Sequence, residues 1–107
     1  MIAYSCVYPA TCNPADVLSA WMKSNGCYFY CDVQARGYYP AYQLKKYERE
    51  GVTLTLTALE QADLKAGTVD FISFSYYMSA CAAADPTTGQ AQAGNMMSGV
   101  KNPYLET

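Results

Sequence analysis

The sequence contains no histidine in its 107 residues, which excludes Ser-His-Asp and Cys-His nucleophilic chemistry and every metal site that needs an imidazole. Basic residues are scarce as well: seven Lys plus Arg stand against nine Asp plus Glu, for a net charge of -2. Only Lys45 and Lys46 are adjacent, so no basic stripe follows a phosphate backbone, and nucleic acid is not an expected partner. No apolar run approaches the roughly 18 residues of a membrane span, so no membrane partner is expected either. Met1–Tyr8 lacks the basic start and long apolar stretch of a secretory signal. The five cysteines (Cys6, Cys12, Cys27, Cys31, Cys81) are odd in number and lie in apolar stretches, which suits small buried thiols of a reducing compartment; the cytoplasm is the expected location. Cys27-x-x-x-Cys31 is one residue longer than the usual Cys-x-x-Cys pair, and no second pair follows. Neither a metal nor a cofactor is expected.

What is present is an apolar chain: 51% hydrophobic and 15% charged residues, with 11 tyrosines, the composition of a packed globular segment of at most one domain. Met1–Cys6 reads as a strand and Val7–Asn13 as a loop. Asn13-Pro14 reads as an N-cap followed by proline at the first helical position, with Asp16 in the first turn. That helix is expected to end near Ser24, at Asn25-Gly26, with Val17, Leu18 and Trp21 as its apolar face. Cys27–Gln34 is ambiguous between helix and strand. Gly37–Pro40 marks a turn. Ala41–Glu50 then reads as a helix with Tyr42 and Leu44 inward and Lys45, Lys46, Glu48, Arg49 and Glu50 in solvent, stopped by Gly51. Val52–Thr57 alternates and suits a short extended piece, and Thr57-Ala-Leu-Glu60 has the form of a capping box opening a helix to about Ala66. Val69–Tyr77 reads as a strand, and the Ala-, Gly- and Ser-rich remainder as a long loop. Strand, helical insert and strand are the order of a parallel α/β crossover unit.

The stretch Asp70–Ser79 carries the most chemistry. Alternation puts Ile72, Phe74 and Tyr76 in one bulky row and Ser73, Ser75 and Tyr77 in a hydroxyl-bearing row. In a parallel barrel the bulky row faces the helices, and the hydroxyl row reaches the C-terminal mouth, where barrel enzymes keep their sites. Tyr77 is then placed to donate a hydrogen bond to a carboxylate or substrate oxygen. The carboxylates themselves do not form a hydrolytic pair, which needs two groups about 5 Å apart in retaining and about 6.5–9.5 Å apart in inverting glycosidases. Glu48 and Glu50 point apart on one predicted helix, Glu60 caps, and Asp70 begins its strand.

Several segments in order resemble one family: Met1-Ile-Ala-Tyr-Ser, Val7–Cys12, Pro14–Val17, Cys31–Pro40, Gly67–Ser79 and Val100–Leu105. The chain is similar to an internal segment of a family 1 glycoside hydrolase, of the 6-phospho-β-glucosidase branch. The resemblance implies an α/β fold: part of a (β/α)8 TIM barrel, with Met1–Cys6 as its fifth strand, Val69–Tyr77 as its sixth and the helical crossover between, residues 1–107 lying in one barrel domain. It implies retaining hydrolysis of β-glucosides or 6-phospho-β-glucosides, small molecules of carbohydrate catabolism, as the activity of the parent. It maps the tyrosine that orients the family's nucleophile onto Tyr77, a substrate-binding position onto Ser75, and a further one onto Tyr8. The family's Thr-Phe-Asn-Glu and Glu-Asn-Gly motifs, which hold the acid/base and nucleophilic glutamates, do not occur here, nor do its phosphate-binding elements. The chain is therefore expected to be an inactive gene fragment or partial reading frame, prone to self-association through open strand edges. The alternative from the residues alone is a small, non-catalytic, tyrosine-rich binding module.

Overall fold

A computed structural model describes residues 2–85. Their elements follow in the order β1 (Ile2–Pro9), α1 (Pro14–Arg36), α2 (Ala41–Arg49), α3 (Ala58–Ala66) and β2 (Phe74–Ala82). The two strands pair in parallel in a single sheet, and the helices lie in the crossover between them. The described residues divide into two compact units, one formed by residues 25–73 and the other by residues 2–24 with 74–85.

Within residues 25–73, the helix boundaries have local causes. The carboxylate of Glu60 accepts from the Thr57 backbone N–H at 2.8 Å, and the Glu60 N–H donates to the Thr57 hydroxyl at 3.2 Å. That reciprocal pair is the expected capping box. Gly51, at φ 69°, follows α2, as the stop signal required. The roll of α2 differs from expectation: Gln43 is buried and Leu44 is exposed. The Tyr42 hydroxyl donates to Asp32 at 2.5 Å, which fixes the helix so that its next residue, Gln43, turns inward. Leu44 lines an open cleft of about 720 Å³ together with Arg36, Tyr38, Leu56, Leu64 and Lys65. Val52–Leu56 forms no strand.

The first helix does not stop at Asn25-Gly26 but continues to Arg36, which also settles Cys27–Gln34 as helix. Gly26 has no left-handed conformation; a single interior glycine costs only about 1 kcal/mol against alanine, too little by itself to end a helix. The real stop is Gly37, with φ 76°. Its N–H bonds back to the Val33 carbonyl at 2.9 Å, and Val69 N–H takes the Gln34 carbonyl at 3.0 Å. A Cβ at Gly37 would lie 2.8 Å from both the Leu64 carbonyl oxygen and the Lys65 Cα, so the position demands glycine twice over.

In the other unit, both strands are displaced toward their C-terminal ends relative to expectation. β1 continues through Val7, Tyr8 and Pro9, which pair with Ala80, Cys81 and Ala82; the sequence reads these positions as the start of a loop. β2 begins at Phe74, not Val69, and runs to Ala82. Ile2 is the partner of Phe74, so residues 69–73 have no strand beside them among the described residues. Met78–Ala82, small and weak in β-propensity, are drawn into the ladder by the continuing β1, since partners outweigh propensity in sheets. Ala80, Cys81 and Ala82 are all buried. The rest of the expected long loop, from Pro86 onward, lies outside the described residues.

Candidate functional site

Period-two alternation gives β1 two faces. Ile2, Tyr4, Cys6 and Tyr8 share one; Ala3, Ser5, Val7 and Pro9 share the other. The register carries these faces onto β2. Phe74 and Tyr76 sit opposite Ile2 and Tyr4, and Ser75 sits opposite Ala3. The Tyr4 ring meets Phe74 at 5.3 Å and Tyr76 at 6.2 Å between centroids, edge-on in both cases. One face is thus aromatic. The other carries Ser5 and Ser75.

The alternation breaks at Tyr77. Tyr4 pairs with Tyr76, but Ser5 pairs with Met78, so Tyr77 is the additional residue of a β-bulge. Beyond it Ser79 and Cys81 join the face of Cys6 and Tyr8, while Met78, Ala80 and Ala82 join that of Ser5. The hydroxyl row read from sequence therefore has a discontinuity: Ser73 precedes the strand, Ser75 lies within it, and Tyr77 stands at the bulge, 72% exposed. Bulges of this kind re-aim side chains beside active sites.

Tyr8 is held elsewhere. Its register partner is Cys81, five positions along from the Ala3–Ser75 pair, and an odd separation puts it on the opposite face. Tyr8 and Ser75 are not brought together. The Tyr8 hydroxyl instead interacts with Cys6, chiefly by hydrogen bonding, and with Tyr76, and these contacts push its pKa up to about 12. Tyr76 thereby belongs with Tyr8 rather than on a face of its own.

A further constrained group lies just past the strand ends; its carboxylate, Asp16, reads from sequence only as the acidic residue of a helix start and not as a candidate site residue. Ala10 N–H adds one more rung by donating to the Ala82 carbonyl at 2.9 Å. Beyond that rung, Asp16 is buried. The Thr11 hydroxyl donates to its Oδ2 at 2.6 Å, and Ala84 N–H donates to its Oδ1 at 2.8 Å. These two bonds, the Thr11 hydroxyl first, hold the carboxyl below the usual carboxylate range against the opposing effect of burial. Thr11 also accepts from Asn13 N–H at 3.1 Å, and Ser19 donates to the Ala83 carbonyl at 3.1 Å. Asn13 caps α1 as expected, its Oδ1 accepting from Ala15 N–H at 2.9 Å. The sequence offers the acidic first turn, but nothing local points to a partner 68 residues away.

Other carboxylates are engaged in local structure. Asp32 accepts from Tyr42 and, at 3.2 Å, from Arg36 Nε; Glu60 closes its capping box; Glu48 and Glu50 pair with Lys45 and Lys46 at 2.7 and 3.9 Å. No cluster of three or more His, Cys, Asp or Glu that could hold a metal occurs among the described residues. All five cysteines are free thiols, and burial pushes the Cys27 and Cys81 thiols up, away from the reactive thiolate. No helix among the described residues is long and apolar enough to cross a membrane.

Comparison with known proteins agrees with this α/β arrangement. The chain is 43% identical over 107 residues to a 6-phospho-beta-glucosidase of Dickeya chrysanthemi, an alignment that takes in 100% of the chain and 23% of that protein. It is 43% identical over 108 residues to the aryl-phospho-beta-D-glucosidase BglA of Bacillus subtilis strain 168, covering 98% of the chain and 22% of the relative. With the 6-phospho-beta-glucosidase AscB of Escherichia coli K12 the identity is 42% over 106 residues, 99% of the chain and 22% of the relative. The chain thus spans less than a quarter of the length of these relatives. The model of glycosyl hydrolase family 1 matches residues 1–107, the full chain. The chain belongs to glycosyl hydrolase family 1.

Proposed function

We propose that this chain is the stretch of a 6-phospho-β-glucosidase barrel that supplies its fifth and sixth strands, and that it serves the retaining hydrolysis of 6-phospho-β-glucosides without holding either catalytic carboxylate. The observation that carries this reading is the parallel β1–β2 pair joined through helices, in a chain matched end to end by phospho-β-glucosidases. Residues 1–107 then lie within a single barrel domain. Ser75 contacts the sugar, and Tyr77, re-aimed by the bulge, donates its phenol hydrogen to the nucleophilic carboxylate supplied by another part of the barrel. Retaining hydrolysis proceeds by attack of one carboxylate while a second, about 5–5.5 Å away, protonates the leaving oxygen. A phenol donor steadies the first in the ionised state that attacks. Tyr8 is the weaker substrate contact, because its hydroxyl is already engaged with Cys6 and Tyr76. No cofactor enters this chemistry, and the expected setting is the cytoplasm.

The test replaces the matching stretch of a full-length 6-phospho-β-glucosidase with residues 1–107 and measures cleavage of a chromogenic 6-phospho-β-glucoside. Retained turnover is expected from the chimera and none from the 107-residue chain alone. An inactive but folded chimera would overturn the assignment. So would turnover by the purified chain that is abolished by changing one of its own glutamates.

A further inference from the structure

Ligands of parallel α/β sheets bind beyond the C-terminal ends of the strands, on the segments that leave them. Here two such segments, residues 10–13 after β1 and 83–85 after β2, are joined through one side chain. Asp16 accepts from the Thr11 hydroxyl with one carboxylate oxygen and from the Ala84 N–H with the other, at 2.6 and 2.8 Å. It is buried, so water does not compete strongly for either bond. Ser19, one turn further along α1, takes the adjoining Ala83 carbonyl at 3.1 Å. The first two turns of α1 therefore grip the segment after β2 at two consecutive residues, through Asp16 and Ser19, and the segment after β1 at one, through Asp16.

A carboxylate is suited to this brace because it accepts on both oxygens at once, and charge-assisted bonds are the stronger kind. Helix-dipole stabilisation alone would need neither burial nor a partner on the far side of the sequence. We infer that Asp16 is a positioning residue for substrate: it fixes the spacing of the two strand-exit segments, and through them the rim against which the sugar binds. This inference rests on the proposed glycosidase reading. Asp16 touches neither substrate nor reacting atoms in this arrangement, so its loss weakens binding of the ground state and the transition state alike, which raises KM and leaves kcat.

The experiment uses the active full-length chimera and a chromogenic 6-phospho-β-glucoside. Asp16→Ala is expected to raise KM about tenfold with kcat within about twofold of the parent chimera. Asp16→Asn, which keeps an acceptor oxygen for Ala84 N–H, is expected to restore KM to within about threefold. Thr11→Val, which removes the bond to the other oxygen, should fall between, and should add little to Asp16→Ala because both cut the same contact. If Asp16→Ala fails to fold, Asp16→Asn and Thr11→Val decide alone, on whether KM rises without kcat. A lowered melting temperature with KM and kcat both unchanged would make Asp16 purely structural and overturn the inference, as would equal losses in kcat and kcat/KM. An inactive parent chimera would instead remove the glycosidase reading beneath it, so the two failures are distinguishable.

Discussion

Residues 25–73 and the strand-bearing unit are stabilised over different distances along the chain. In the first, side-chain bonds join residues 3 to 10 apart: Thr57 with Glu60, Asp32 with Arg36, Asp32 with Tyr42. In the second, Ser19 reaches Ala83 across 64 positions and Asp16 reaches Ala84 across 68, besides the strand pairing itself. Local bonds form at little loop-closure cost, whereas the second set must first close a long loop and is rewarded only afterwards. The strand unit is accordingly the part whose geometry depends most on contacts that cannot be read locally, and it holds all of the candidate site residues.

The largest expected effect tests the site in the strand unit. In the full-length chimera, Tyr77→Phe removes one preorganised donor while keeping the ring, so kcat should fall on the order of 10²-fold, about 2.7 kcal/mol. Tyr76→Phe, on the aromatic face, should change kcat by less than about threefold. Equal effects in steady-state assays would show that the bulge does not separate the two tyrosines in function.

The next contrast concerns two glycines of the helical unit. Gly37→Ala forces a left-handed alanine against backbone atoms 2.8 Å away and should cost about 2 kcal/mol in denaturant unfolding. Gly26→Ala meets nothing within 4 Å and should instead gain about 0.5–1 kcal/mol. A loss at Gly26 as large as at Gly37 would mean that the helix does not continue through Asn25.

The acid response of Asp16 separates the units by pH. Its carboxyl is held below the usual range in the folded chain, so its contribution is fully present above the unfolded value of about 3.9 and is lost as pH falls through the lower folded one. Melting temperatures of wild type and Asp16→Asn should therefore differ most near neutrality and converge below about pH 4. A difference that grows on acidification would reverse the assignment.

The smallest effect is expected at Ser5. Its hydroxyl oxygen is buried and makes no hydrogen bond in the structure. Ser5→Ala removes an unsatisfied group rather than a bond, so stability should stay within about 0.5 kcal/mol of wild type or rise. A loss beyond about 1 kcal/mol would reveal an ordered water or other partner on that hydroxyl.

What sequence revealed and what it hid divides by the range of the interaction: short-range patterns were legible in both units, whereas the contacts that set the limits of β2 and the brace at Asp16 were not. The capping box at Thr57, the N-cap at Asn13 and the turn at Gly51 were legible because each is a short-range pattern whose residues carry their own geometry. Family membership was legible for a related reason: several motifs recur in fixed order. Gly26 misled because glycine signals both helix end and mere flexibility, and the distinguishing property, a left-handed φ, belongs to Gly37. β2 was misplaced because β-prone residues such as Val69, Phe71 and Ile72 mark strand potential, while the actual limits follow where β1 offers partners. The alternation of aromatic and hydroxyl side chains matches the strand only over Phe74–Tyr76, because Ile72 and Ser73 lie before it. The bulge at Tyr77 and the brace at Asp16 left no local trace, since both depend on residues far away in the chain.

The one-residue surplus at Tyr77 has a consequence for evolution and for engineering. Deleting that residue would bring β2 into uniform step with β1, converting an irregular ladder into a regular one. Such a deletion is expected to be benign for the sheet and ruinous for the donor it carries. Selection for robustness alone would thus tend to erase Tyr77, and its persistence in a functional lineage would have to be sustained by chemistry. Deleting Tyr77 itself leaves Met78 across from Ser5, whereas an insertion or deletion elsewhere in β2 moves the later side chains from one face to the other.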